Sequence, residues 1–96
     1  MTSLELLRQK RHEILLIAAK HGAHEVRVFG SVVRGEDKPD SDIDLLVKRA
    51  TKTSVWFPSG MILDLEKLLG CRVEVVTDGG LNPSIRDYVL NEALPL

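Results

Sequence analysis

Apolar residues near the start of the chain recur at helical spacing: Leu4, Leu7, Ile14, Leu15 and Ala18 share one face. Thr2-x-x-Glu5 ahead of them forms a capping box, and Lys20, His21 and Gly22 suit a helix C-terminus. The pattern predicts a first helix over residues 3–21. Arg11 stands in the stripe, so its stem is expected to run along the core edge or to meet a partner. The period then changes to two. Glu25 to Phe29 alternates and is rich in β-branched residues, predicting a strand that ends at Gly30-Ser31, with one short helical turn over Val32 to Arg34. A loop over 36–41 leads to a second strand, Asp42 to Val47. Pro58 opens a second helix with Ile62, Leu65, Leu68 and Leu69 on its apolar side, closed at Gly70. Arg72 to Thr77 reads as a third strand and Asp78-Gly79-Gly80 as a turn. Asn82-Pro83 starts a last helix that runs to Ala93 before Pro95. The order predicts an α/β (α+β) fold: a small mixed sheet with helices mainly on one face.

The chain has 96 residues, which fits a single domain over 1–96 with a thin core. Its 13 Lys and Arg against 14 Asp and Glu leave a net charge of -1, so no basic face for duplex DNA is expected. No apolar run has the length of a membrane span, and no signal peptide is evident, so a cytoplasmic location is expected. One cysteine, Cys71, excludes an internal disulfide and a cysteine-built zinc site; it is expected to act as a small buried hydrophobe.

The candidate chemistry lies in Gly30-Ser-Val-Val-Arg-Gly35 and Ser41-Asp-Ile-Asp-Leu-Leu-Val47. Strand alternation puts Asp42 and Asp44 on one face and Ile43, Leu45 and Val47 on the other. Carboxylates two strand positions apart, about 6.6–6.8 Å, repel unless a cation lies between them. An all-oxygen site with few carboxylates suits magnesium, which completes its shell with waters and substrate phosphates. Two such ions can grip both the attacking and the leaving oxygen of a phosphoryl displacement. Upstream, Gly30 allows close backbone approach, Ser31 adds a hydroxyl donor, and Arg34 a guanidinium suited to phosphate. A third acid is expected from the third strand, where Glu74 points away from Val73 and Val75. Asp64 and Glu66 read as the solvent face of a helix, and Asp78 as structural.

Gly30-Ser31, ten residues, then Asp42-x-Asp44 resembles the G-S-x10-D-x-D signature of the DNA polymerase beta-like nucleotidyltransferases, and among them most closely the minimal nucleotidyltransferases. The resemblance spans the chain from the first helix to the closing Asn91-Glu-Ala-Leu-Pro-Leu96. It implies a palm-like fold, ATP as substrate and two magnesium ions. Residue by residue, it implies metal ligation by Asp42, Asp44 and Glu74 and nucleotide binding by Gly30 and Ser31, with Arg34 at a position often basic in this group. The family commonly has Asp where this chain has Glu74. Many such proteins are antitoxins that pair with a HEPN-domain ribonuclease toxin and silence it by moving AMP from ATP to a toxin tyrosine. The resemblance therefore implies a hetero-oligomer with such a toxin. Two alternatives stand beside that reading. One is a weak or inactive homologue that masks its partner by contact alone. The other is transfer to a small molecule, which is disfavoured because such enzymes use a further substrate domain.

The remaining candidates have simpler readings. His12, His21 and His24 lack metal spacing; His21 is expected to end a helix and His24 to line a turn. At least one of Trp56 and Phe57 is expected to pack into the core, with a partner contact as the second reading. Tyr88 is expected to pack rather than to accept AMP.

Overall fold

The computed structural model describes residues 2–38, 41–50, 53 and 57–96. The first apolar stripe forms two helices, α1 (Ser3–Gln9) and α2 (Arg11–Lys20), in place of the single expected one. They part at Lys10, whose backbone leaves helical geometry at φ -96°, ψ 12°. The stripe explains the break. Leu7 and Ile14 are both fully buried, and the polar run from Arg8 to Glu13 between them offers nothing to the core. Thr2 caps α1 as expected, its hydroxyl oxygen accepting the Glu5 N–H at 3.1 Å. Arg11 lies at an edge, where its Nε donates to the Leu96 carbonyl at 2.6 Å.

β1 (Ala23–Phe29), the short helix α3 (Ser31–Arg34), β2 (Ile43–Arg49), α4 (Ser59–Leu69), β3 (Val73–Thr77) and α5 (Pro83–Glu92) follow in the expected order. A two-residue strand, β4 (Leu94–Pro95), adds an element that the sequence pattern did not predict. The sheet runs β3-β2-β1-β4, with β2 and β3 parallel and β1 antiparallel to both β2 and β4. The α4 crossover supplies the reversal that a parallel β2–β3 pair requires. It ends at Gly70, in the left-handed region at φ 71°.

The sheet has two unequal sides. Ile43, Leu45, Val47, Val73 and Val75 bury against Leu7, Ile14, Ala18, Met61 and Leu65 in the main core. Phe57 also packs there, whereas Trp56 lies outside the described residues. The opposite side carries a smaller cluster, in which Leu46 packs with Leu81 and Val89, and Phe29, Val76 and Leu90 lie against it. The helices therefore lie mainly on one face, and α5 covers part of the other.

Charged side chains tie the elements together. Buried His21, the C-cap of α2, pairs with Asp64 of α4 at 2.9 Å, and Glu66 accepts the Val73 N–H at 3.1 Å. Both acids were expected to be solvated; each instead ties α4 to a neighbouring segment. Asp78 is structural, receiving Arg27 Nη2 on both oxygens at 2.9 and 3.1 Å. Cys71 is partly buried at the rim of the main core, and burial, followed by the nearby Glu66 and Asp42 carboxylates, pushes its thiol pKa up.

Candidate active site

The alternation along β2 places Asp42 and Asp44 on the α5 side of the sheet while Ile43, Leu45 and Val47 enter the main core. Asp44 is central. It pairs across the antiparallel ladder with Phe29 and across the parallel ladder with Glu74. Just beyond Phe29 the chain turns at Gly30, with φ 80° and ψ -153°, a conformation open to glycine. A Cβ built on Gly30 would collide with Asp44 Oδ2 and lie 3.3 Å from its Cγ. The turn and the carboxylate thus meet with no room for a side chain between them.

Glu74 stands on β3 with its side chain exposed, between buried Val73 and Val75. Asp42, just before β2, makes a loose surface pair with Arg72 at 3.5 Å. Partial burial, then a hydrogen bond and charge repulsion from Glu74, then repulsion from Asp42, push the Asp44 pKa up to about 6. Burial and the neighbouring carboxylates thus disfavour the charged form of Asp44 in the metal-free protein. Among the described residues, however, no three His, Cys, Asp or Glu side chains converge as a ready-made metal centre. A hard cation suits this donor set, because magnesium is typically held by one or two carboxylates and takes its other ligands from water and substrate phosphate.

α3 begins at Ser31, and the first N–H groups of any helix have no partner inside it. The Gly30 N–H is already engaged: it donates to Glu92 Oε1 at 2.8 Å. Arg34 Nη1 donates to the same oxygen at 2.7 Å and lies 3.4 Å from the Tyr88 hydroxyl, and Arg34 Nε lies 3.4 Å from Glu36. Arg34 is therefore held within the protein at the edge of the turn. Sequence reasoning missed Glu92, since nothing local links it to residues some sixty positions earlier. It also placed Tyr88 in the core, whereas Tyr88 is 62% exposed beside Arg34. Gly30, Ser31, Asp44 and Glu74 meet where the Gly30 turn adjoins the β2–β3 pair, and Asp42 stands one residue before β2, in its loose pair with Arg72. They lie outside two surface grooves: one of about 560 Å³ between α1 and the loop after α3, the other of about 580 Å³ at the ends of β2 and β3. The Asp42 side chain is partly exposed and Glu74 is exposed, so this face is open to solvent at both acids.

Residues 12–96 match the family model described as a nucleotidyltransferase domain. The chain belongs to the nucleotidyltransferase family. The Thermococcus cleftensis protein adenylyltransferase MntA is 41% identical over 75 residues, covering 78% of this chain and 76% of that protein. A Methanocaldococcus jannaschii protein, provisionally named protein adenylyltransferase MJ0435, is 37% identical over 84 residues, covering 88% of this chain and 90% of its own. A solved structure provisionally described as a minimal nucleotidyltransferase superposes with a TM-score of 0.86 at 49% identity, covering 100% of this chain and 97% of that one. A toxin–antitoxin structure with AMP-PNP shares the fold at 20% identity, with a TM-score of 0.72 over 91% of this chain and 69% of that one. Among the described residues of this nucleotidyltransferase, no helix is long and apolar enough to cross a membrane.

Proposed function

We propose that this nucleotidyltransferase transfers AMP from ATP to a hydroxyl, that of a tyrosine, on a partner HEPN-type toxin and so acts as its antitoxin. The observation that carries the reading is the contact of the Gly30 turn with Asp44, itself paired with Glu74. It puts a glycine turn suited to phosphate beside crowded carboxylates suited to a cation. The protein acceptor is supported by the relatives named protein adenylyltransferases and by the toxin–antitoxin complex that shares the fold.

Asp42 and Asp44, with Glu74 beside them, would hold magnesium, which neutralises the carboxylates and polarises the phosphate oxygens. The Ser31 hydroxyl and the first N–H groups of α3 receive the phosphates, and Arg34 borders them. The acceptor oxygen bonds to the α-phosphorus of ATP while the bond from that phosphorus to the bridging oxygen breaks. Pyrophosphate leaves, and the hydroxyl proton passes to the Glu74 carboxylate. Because the face is open, a protein acceptor would itself cover the reacting atoms and exclude water. The test is incubation of the chain with magnesium, α-labelled ATP and the candidate toxin. Label on a toxin tyrosine supports the reading; an unlabelled toxin that still binds the chain would leave masking by contact as the function.

A further inference from the structure

The Gly30 turn is fastened by a side chain from α5, distant in sequence but adjacent in the fold. Glu92, the last residue of α5, has a side chain only 12% exposed. One of its oxygens receives two short hydrogen bonds, from the Gly30 N–H and from the Arg34 guanidinium. Both are charge-assisted, the stronger kind of hydrogen bond. Gly30 in turn lies against Asp44. A displacement of Glu92 would therefore move the turn, and the turn would move against the carboxylate. Arg34, released from Glu92, would keep only its longer contacts with Glu36 and Tyr88 and would be less restrained near Asp44, on whose carboxylate it already acts.

We propose that Glu92 is a positioning residue: its carboxylate fixes the Gly30 turn against Asp44 and pins Arg34 at the turn's edge. The inference rests on the proposed nucleotide site. A carboxylate at that place could instead act as a stand-in for phosphate that ATP must displace, and the two roles respond oppositely to reach and to charge. Glu92→Gln keeps the reach and an acceptor oxygen but loses the charge. Glu92→Asp keeps the charge but is one methylene too short to span both donors.

The experiment is calorimetric titration of the metal-free chain and both variants with magnesium and a non-hydrolysable ATP analogue, each first shown to be folded by its melting curve. Binding by wild type tests the site itself, and its absence would remove the site and this inference together. With wild-type binding established, positioning predicts that Glu92→Asp weakens binding about tenfold, the worth of one lost hydrogen bond. Glu92→Gln should stay within about threefold of wild type. The Gly30 amide proton, read by NMR in metal-free protein, should move upfield in Glu92→Asp as its hydrogen bond lengthens. Tighter binding by Glu92→Gln, or unchanged binding and an unmoved Gly30 amide in Glu92→Asp, would overturn the proposal.

Discussion

The Asp44 carboxylate occupies the space where a side chain on Gly30 would begin, so these two residues set how closely the glycine turn approaches β2. Gly30→Ala is therefore expected to fail twice. Its φ of 80° strains any L-residue, and its new methyl group would displace Asp44. We expect a loss of about 1–3 kcal/mol in stability together with loss of magnesium–ATP binding. Gly70→Ala is the control. It has a similar φ of 71° but nothing within 4 Å of a new Cβ, so it should cost about 1 kcal/mol and leave nucleotide binding intact. Thermal melts with and without magnesium–ATP separate the two; intact binding in Gly30→Ala would refute the close-contact argument.

The crowding at Asp44 makes the metal-free protein sensitive to pH. The Asp44 pKa in the folded state, about 6, lies above the value of about 4 expected unfolded. The folded state thus holds this proton more tightly, and that stabilisation is complete below about pH 4. It is lost as pH rises toward 6. Asp44→Asn removes the charge, so without metal it should be more stable than wild type at pH 7.5, by about 1 kcal/mol after allowing for partial solvent access. The gain should vanish near pH 4. Transfer should be abolished throughout. A variant less stable than wild type at pH 7.5 would mean that the carboxylate is needed for folding.

Glu74 pairs with Asp44 in the parallel ladder and is exposed to solvent. As base for the acceptor hydroxyl, it should contribute about 10²–10⁴-fold, so Glu74→Gln should lower transfer by that order while ATP binding changes little. Glu74→Asp distinguishes two cases. If the longer side chain is needed to reach, the rate falls; if Glu is a neutral replacement for Asp, the rate holds or rises. Transfer of labelled AMP measured for both variants decides between them, and full activity in Glu74→Gln would take Glu74 out of the chemistry.

His21 and Asp64 give an acid-sensitive strut on the opposite face. The hydrogen bond from His21, with help from Lys20, holds the Asp64 pKa below its usual value. The depressed pKa means that the strut stabilises the fold at neutral pH and lets go as pH falls below about 4. Asp64→Asn should therefore melt earlier than wild type at pH 7, and the gap should close on acidification. A gap that widens in acid would reverse the assignment.

The parts of the fold legible in the sequence are those set by short-range period. Ile43, Leu45 and Val47 against Asp42 and Asp44 follow from alternation alone, and Asn82-Pro83 marks a helix start by its own chemistry. What could not be read depends on distant partners. Glu66 looks solvated on a helical wheel until β3 brings the Val73 N–H to it. Tyr88 looks like a core residue, because nothing local says that Val89 takes the buried position on α5. β4 is hidden by its brevity and its proline; only the paired edge of β1 makes a strand of Leu94-Pro95. The break at Lys10 lies between these cases, since the polar interval was visible but its effect on the helix axis was not.

Gly30, Asp44, Glu74 and Glu92 come from four separate stretches of the chain, and each reaches its neighbours only through the assembled sheet and α5. No fragment that lacks the last helix contains the strut on the Gly30 turn. No fragment that lacks the α4 crossover sets Glu74 beside Asp44. Bound nucleotide would thus serve as a quality check on the molecule: a partly folded chain would hold ATP poorly, and one that holds it well has finished folding from the first strand to the last helix.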